Sequence, residues 1–99
     1  PDVYVEPYLN RDLKKHPTTS ELADENKRSQ LNDQYAHYYG LTAGVDYEFS
    51  RIMQALDESG QADNTIVIFT SDHGDSLTDH GHSQKGVIYD IITQVPAIV

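Results

Sequence analysis

A short apolar run that ends in a polar turn restricts the fold of this chain of 99 residues more than any other pattern in it. The run, Ile66 to Phe69, reads "IVIF", and after one threonine the chain continues as "SDHG" at positions 71–74. Successive side chains of a strand point to opposite faces, so four apolar residues in a row predict a strand covered on both sides. We therefore predict that Ile66 to Phe69 is a parallel strand of an α/β sheet with helices on each face.

A long helix is predicted before this strand. From about Ser29 to Ser59, one helical face carries residues at spacings of three or four: Tyr35, Tyr38, Thr42, Val45, Phe49, Ile52, Met53 and Leu56. Asn32 or Asp33 is the expected N-cap, and Gly60 stands where such a helix stops. The next residues, "QADNT", predict a turn in which Asn64 takes a positive φ.

The beginning of the chain gives weaker patterns. The first 33 residues hold three of the four prolines, and we predict an irregular segment with a turn of helix around Glu21–Glu25. "VYV" at positions 3–5 is a short strand at most, because Pro7 limits its pairing.

The end of the chain predicts a second strand. Val95 to Val99, "VPAIV", follows one or two predicted helical turns within Gly86 to Ile92. Two strands cannot complete a sheet that helices cover on both faces. The chain also opens on Pro1 rather than Met and stops within an apolar run. We expect one partial domain, residues 1–99, in which residues 34–99 form a helix, a strand, a polar loop that begins at Ser71 and a second strand. The partner strands are expected in the remainder of a parent chain.

Charge and composition narrow the classes of partner. The formal net charge is −9, and residues 34–99 carry nine acids against two bases. This balance argues against nucleic acid, which needs a basic footprint, and it offers no basic surface to anionic lipid. No apolar run reaches the length of a membrane span, and the chain has no cysteine for a disulfide or a thiolate nucleophile. The acidity is compatible with a hard cation, although a solvated surface explains most of these charges equally well.

Asp72 and His73 stand where α/β proteins bind ligands, just outside the carboxyl end of a strand. A carboxylate oxygen and an imidazole nitrogen both bind divalent metals, and two neighbours in a turn can converge on one ion. Gly74 removes a side chain beside them and permits an unusual backbone angle. The alternative is a polar turn in which Asp72 caps a following helix and His73 is exposed.

Four features of residues 38–99 resemble, in their order, the sulfatase family of the alkaline-phosphatase-like superfamily. They are the long helix with Asp46, the segment "ADNTIVIFTSDHG", the "DHG…K" loop and "VPAIV". The pair Asp72-His73 is the variant found in many bacterial sulfatases and in the related phosphonate monoester hydrolases. The resemblance implies an α/β fold with a mostly parallel sheet covered by helices, of which this chain is a fragment.

The resemblance also implies roles for single residues. Asp72 and His73 look like ligands of a divalent metal, Ca²⁺ or else Mn²⁺ or Mg²⁺, and Lys85 looks like the lysine that contacts the sulfate and its bridging oxygen. The family's nucleophile is a formylglycine made from Cys or Ser in the motif Cys/Ser-x-Pro/Ala-x-Arg. That motif and the family's first pair of metal carboxylates are absent from this sequence, so we expect them outside this chain.

Lys85 is one of two basic residues after position 33, and the sequence surrounds it with the acids Asp72, Asp75, Asp79 and Asp90. It either pairs these acids at the surface or neutralises charge on a bound sulfate or phosphate, and the resemblance favours the second. His80 and His82 form His-x-His, a spacing that can bind a metal when it lies in a strand. In a loop flanked by glycines we expect instead a structural role or the support of neighbouring metal ligands. His82 is also near enough to Lys85 in the sequence to touch a substrate.

The expected function is metal-assisted hydrolysis of a sulfate ester, on a small molecule or a glycan, in the full-length parent. The first alternative is a phosphonate or phosphate ester hydrolase, or a phosphoryl transferase, of the same superfamily. The second is a non-catalytic domain used for interaction. The chain by itself is expected to be inactive.

Overall fold

The computed structural model describes residues 2–15, 24–82 and 84–99. Most of the turn predicted around Glu21–Glu25 lies outside these ranges. The helices are α1 (Asp2–Val5), α2 (Glu25–Glu58) and α3 (Asp90–Thr93), and the strands are β1 (Phe69–Thr70) and β2 (Ala97–Ile98). Short 3-10 turns span Glu6–Tyr8, Ala62–Asn64 and Asp79–Gly81.

The predicted long helix is confirmed as α2, which runs for 34 residues. It begins before the predicted Ser29 because Asp24 is its N-cap, with a side chain that accepts a hydrogen bond from the backbone N–H of Lys27 at 2.9 Å. Gly60 follows the end of α2 with a φ of 70°, a left-handed conformation that costs glycine little. The stop was therefore predicted correctly, and the start was not.

Asn32, one of the two predicted caps, lies inside α2 and binds the N-terminal segment instead. Its Oδ1 accepts a hydrogen bond from Nζ of Lys15 at 2.8 Å, and its Nδ2 donates to the carbonyl oxygen of Arg11. The other predicted cap, Asp33, is likewise an interior residue of the helix. The amide of Asn32 thus binds residues 11–15 to α2 and does not cap the N-terminus of this helix.

The N-terminal residues pack against α2 through two glycines. A Cβ on Gly40 would lie 2.7 Å from Cγ2 of Val5, and a Cβ on Gly44 would lie 3.3 Å from Cδ2 of Tyr4. The short strand considered for positions 3–5 is not formed, since these residues are helical in α1. Their side chains fill the groove over the two glycines, and Pro7 sits in the first turn of the 3-10 helix, where its missing N–H costs nothing.

The sheet differs from the prediction in extent and direction. β1 pairs with β2 in antiparallel fashion, with Phe69 opposite Ile98 and Thr70 opposite Ala97. Residues 65–68 lie outside the strand, and Ile66 is 82% exposed. β2 has two residues, so its ladder reaches only two residues of β1, and the described ranges contain no third strand beside residues 65–68. The mostly parallel sheet of the whole fold therefore stays a prediction.

The other predicted elements are confirmed in part. The predicted helical turns within Gly86 to Ile92 are present as α3, and the predicted strand at the chain's end is present as β2, directly after Pro96. "QADNT" does turn, through a 3-10 helix, but Asn64 keeps a negative φ, so the expected positive angle is wrong.

The core lies between the first half of α2 and the segment that follows β1. Among the described residues, the buried apolar side chains are Tyr35, Ala36 and Ile92. The ring of Phe69 packs 5.2 Å from the ring of Phe49, which fixes β1 against α2. No helix in the described part of the chain combines the length and the apolar character that a membrane crossing requires.

Candidate functional site

The turn after β1 carries Asp72 two residues beyond Thr70, the last residue of the strand. Oδ1 of Asp72 accepts a hydrogen bond from the N–H of His73 at 3.0 Å, and Oγ of Ser71 donates to the carbonyl oxygen of His73 at 2.7 Å. The side chain of Asp72 is 83% exposed. These two hydrogen bonds close the turn, and one carboxylate oxygen of Asp72 is left exposed to solvent.

The hydrogen bonds of His73 determine which ring nitrogen carries the proton. Nδ1 lies 2.8 Å from the carbonyl oxygen of Gly74, and a carbonyl can only accept, so Nδ1 carries hydrogen. In the neutral ring, Nε2 then has a free lone pair, and it lies 3.5 Å from Oδ2 of Asp72. This is the arrangement typical of metal-bound histidines, whose other N–H is held by a carbonyl or a carboxylate.

Gly74 joins this turn to α3. Its N–H donates to the carbonyl oxygen of Ile92 at 2.8 Å, and any Cβ at this position would overlap the carbonyl oxygen of Ile91. Gly74 does not have a positive φ. Glycine is therefore required here by the close approach of a neighbouring backbone and not by the unusual angle that the sequence suggested.

The loop that follows closes on itself at Ser76. The N–H and the hydroxyl of Ser76 both donate to the carbonyl oxygen of Gln84, at 3.1 and 2.8 Å. Asp79 lies inside this loop with a side chain only 3% exposed, and its Oδ2 is 3.1 Å from Nδ1 of His80. The ring of His80 in turn lies 4.7 Å from the ring of Tyr89.

Lys85 directly follows the closed loop and is exposed. Within the described ranges, no ion pair joins it to Asp72, Asp75 or Asp90, so the surface pairing considered from the sequence is not seen with these three acids. Asp75 instead accepts a hydrogen bond from the N–H of Leu77 at 2.8 Å.

His82 is exposed, and its ring lies 6.0 Å from the ring of Tyr89. His80 and His82 therefore share one aromatic neighbour, and the role expected for the pair stays a prediction. A contact of His82 with substrate stays a prediction.

The described residues do not form a complete metal site. Nowhere in them do three or more His, Asp or Glu side chains come together as a group that could hold an ion. Asp72 and His73 offer two donors of suitable chemistry, whereas a hard cation such as Ca²⁺ takes six or more ligands. These two residues fit a divalent cation as one part of its ligand set.

The residues that build the loop could not be identified from the sequence. Ser76 is completely buried, yet a serine in a polar stretch is ordinarily read as a surface residue. The burial of Asp79 could not be predicted either, because nothing in the sequence distinguishes it from the neighbouring acids. A weak signal lies in Tyr89, the only aromatic residue near the two histidines in the sequence.

Comparison with known proteins gives consistent matches. A family model described as Sulfatase matches residues 4–99. An arylsulfatase of Clostridium perfringens is 41% identical over 64 residues, which cover 65% of this chain and 13% of that protein. Iduronate 2-sulfatase of Homo sapiens is 39% identical over 61 residues, which cover 62% of this chain and 11% of that protein.

A third relative carries a broader name. The multifunctional alkaline phosphatase superfamily protein PehA of Trinickia caryophylli is 45% identical over 51 residues, which cover 52% of this chain and 10% of that protein. The chain thus spans roughly a tenth of the length of the curated relatives it matches. No solved structure gives a significant match.

Proposed function

Since this chain belongs to the sulfatase family, whose fold is the alkaline-phosphatase-like α/β fold, we propose that it forms part of the active site of a metal-dependent sulfuric ester hydrolase. The observation that carries the proposal is the turn after β1, where Nε2 of His73 and Oδ2 of Asp72 face each other at 3.5 Å. Two acceptors so close together favour a shared cation.

Asp72 and His73 are the residues that would hold the cation, which we take to be Ca²⁺, with Mn²⁺ or Mg²⁺ as alternatives. When bound, such an ion polarises the sulfuryl group and orients the ester. His73 is held ready by its Nδ1–H bond to the carbonyl oxygen of Gly74, so its ring does not need to reorient on binding.

Lys85 is proposed to contact the sulfate and its bridging oxygen. Its ammonium group donates hydrogen bonds and carries the positive charge that a leaving oxygen needs as negative charge develops on it. Support comes from its exposure and from its place directly after Gln84, whose carbonyl oxygen is bound by Ser76, two residues beyond Gly74. His82 would lie at the edge of the same substrate site.

The remaining groups of the site are proposed to come from residues beyond these 99. They include the nucleophile, expected to be a formylglycine, and the other metal carboxylates, because neither motif occurs in the sequence. The substrate is a sulfate ester of a small molecule or a glycan. The chain by itself is accordingly inactive.

The relative named as a multifunctional alkaline phosphatase superfamily protein supports a second candidate, the hydrolysis of phosphonate or phosphate esters. The choice depends on pocket charge, since a sulfate monoester carries one negative charge and a phosphate monoester carries two. A non-catalytic parent is the third outcome that an activity measurement can return.

The test uses the complete enzyme that contains this sequence, assayed on an aryl sulfate and on the matching aryl phosphonate monoester. We expect the sulfate to be preferred and Asp72→Asn to lower both the bound metal and kcat/KM, the latter by about 10²-fold or more. Asp63→Asn, at an exposed acid outside the turn, is the matched control and should change neither. Preference for the phosphonate would establish the second candidate, and no turnover of either ester would contradict the proposal.

A further inference from the structure

Ser76 holds the ends of the loop before Lys85 together. Its side chain is completely buried, and its N–H and its hydroxyl both donate to one acceptor, the carbonyl oxygen of Gln84. Gln84 has a φ of 62°, so the chain turns sharply at the residue before Lys85. Ser76 therefore fixes the backbone on the N-terminal side of the lysine to the segment that follows the turn at positions 71–74.

The C-terminal side of Lys85 is fixed to the same segment by a second contact. The carbonyl oxygen of Tyr89 accepts hydrogen bonds from the N–H groups of Ile92 and Thr93, at 2.9 and 3.1 Å, and so begins α3. The carbonyl oxygen of Ile92 then accepts a hydrogen bond from Gly74 at 2.8 Å. Residues 84–92 are thus tied to residues 74–76 at both ends.

Hydrogen bonds inside the loop support these two connections. Asp79 donates its N–H to the carbonyl oxygen of Ser76 at 2.7 Å and accepts, at its own carbonyl oxygen, a hydrogen bond from His82 at 3.0 Å. His80 bridges from the carboxylate of Asp79 to the ring of Tyr89. The loop between Ser76 and Gln84 is therefore closed by hydrogen bonds, and Lys85 follows it directly.

From these contacts we propose that Ser76 is a positioning residue for the reaction, which sets the place of Lys85 relative to Asp72 and His73. The inference rests on the proposed function of Lys85 and adds to it. Lys85 is exposed and is not held by Asp72, Asp75 or Asp90, so its position depends on the backbone on either side. Removal of the Ser76 hydroxyl takes away one of the two hydrogen bonds that fix this backbone.

The experiment is a double-mutant comparison in the complete enzyme, with Ser76→Ala, Lys85→Ala and both together. We expect Ser76→Ala to lower kcat on an aryl sulfate by about 10-fold to 10²-fold, because a catalytic group that is misplaced by an ångström or less loses this much. KM should change much less. In the Lys85→Ala background the same substitution should have almost no further effect, since the group it positions is gone. Ser50→Ala, at an exposed serine of α2, is the matched control and should leave kcat unchanged.

Several outcomes overturn the inference. Additive losses from the two substitutions would show that Ser76 acts independently of Lys85, as a purely structural residue would. An unchanged kcat in Ser76→Ala would do the same. If Lys85→Ala alone has no effect, the proposed role of the lysine fails as well, and that result is distinguishable because it does not involve Ser76.

A second variant covers the case in which Ser76→Ala does not fold. Ser76→Cys keeps nearly the same volume in the buried site and replaces the hydroxyl by a weak donor. We expect kcat to fall by less in Ser76→Cys than in Ser76→Ala, and we expect no further fall in the Lys85→Ala background. A wild-type kcat in Ser76→Cys, with the Lys85→Ala loss intact, would overturn the inference.

Discussion

Nε2 of His73 lies 3.5 Å from Oδ2 of Asp72, while Nδ1 of the same ring donates to the carbonyl oxygen of Gly74. In the neutral ring this geometry sets two lone pairs against each other, which is unfavourable unless a positive charge lies between them. A proton or a metal cation relieves this repulsion, and under the proposed function the two residues supply part of the ligand set of a metal cation.

The first prediction concerns metal binding by the 99-residue chain alone. Titration with Ca²⁺ should give a dissociation constant weaker than about 10⁻³ M, because two donors satisfy only part of a shell of six or more. The binding that remains should perturb the ring resonances of His73 and should be lost in Asp72→Asn. Calorimetry together with NMR measures both, and micromolar binding would show that the chain holds a complete site.

The second prediction compares two glycines near the site. Gly74→Ala should lower the free energy of unfolding by about 1–3 kcal/mol, because its Cβ would overlap the backbone at Ile91 and displace the hydrogen bond to Ile92. Gly86→Ala is the control, since no atom lies within 4 Å of a Cβ there and its φ is not left-handed. The free energy of unfolding of Gly86→Ala should stay within about 1 kcal/mol of that of the unsubstituted chain. Urea denaturation measures both, and equal effects would refute the close approach at Gly74.

The third prediction tests the packing of α1 on α2. Gly40→Ala should favour the helix itself by about 1 kcal/mol, yet its Cβ would lie 2.7 Å from Cγ2 of Val5 and 3.0 Å from Cα of the same residue. We therefore expect α1 to detach, with loss of NMR contacts between the rings of Tyr4 and Tyr47, now 6.0 Å apart. The same substitution in a chain without residues 1–8 is the control and should only stabilise α2. Retained contacts between these two rings would contradict the packing.

The fourth prediction concerns Thr78, a β-branched residue with a φ of 68° and a ψ of 8°. The left-handed conformation costs such a residue about 1–2 kcal/mol, so Thr78→Gly should raise the melting temperature even after the extra backbone entropy of glycine is counted. Thr65→Gly, at an extended residue with a φ of −127°, should lower it. Calorimetric scans of both variants decide the matter, and a lower melting temperature for Thr78→Gly would show that the side chain matters more than the angle.

The sequence was sufficient to predict α2 and its stop at Gly60, because the apolar spacing and a single glycine carry that information. It was not sufficient for the start of α2, since residues 25–30 are polar throughout and show no period. The strand was predicted at Ile66 to Phe69 and is observed at Phe69–Thr70. Apolar residues such as Ile66 indicate which positions favour burial, but they do not indicate which partner strand is present.

For the candidate site, the pattern of strand and turn predicted the place of Asp72 and His73, and the structure puts them together just beyond β1. It did not predict the buried Ser76, because a hydroxyl gives no sequence signal until its acceptor, the carbonyl oxygen of Gln84, is known. The role proposed for Lys85 rests on the family resemblance, since a single lysine among acids has no pattern of its own.

The proposed contact of Lys85 with the leaving oxygen is tested by the dependence of kcat on the leaving group, measured in Lys85→Ala and in the wild-type enzyme. Aryl sulfates with leaving groups of increasing basicity should show a growing loss, of about 10²–10³-fold for the poorest, because these need the donated hydrogen bond most. Bound metal should be unchanged, since Lys85 is not a ligand. An unchanged kcat on the poorest leaving group would contradict the account and return Lys85 to the role of a surface charge.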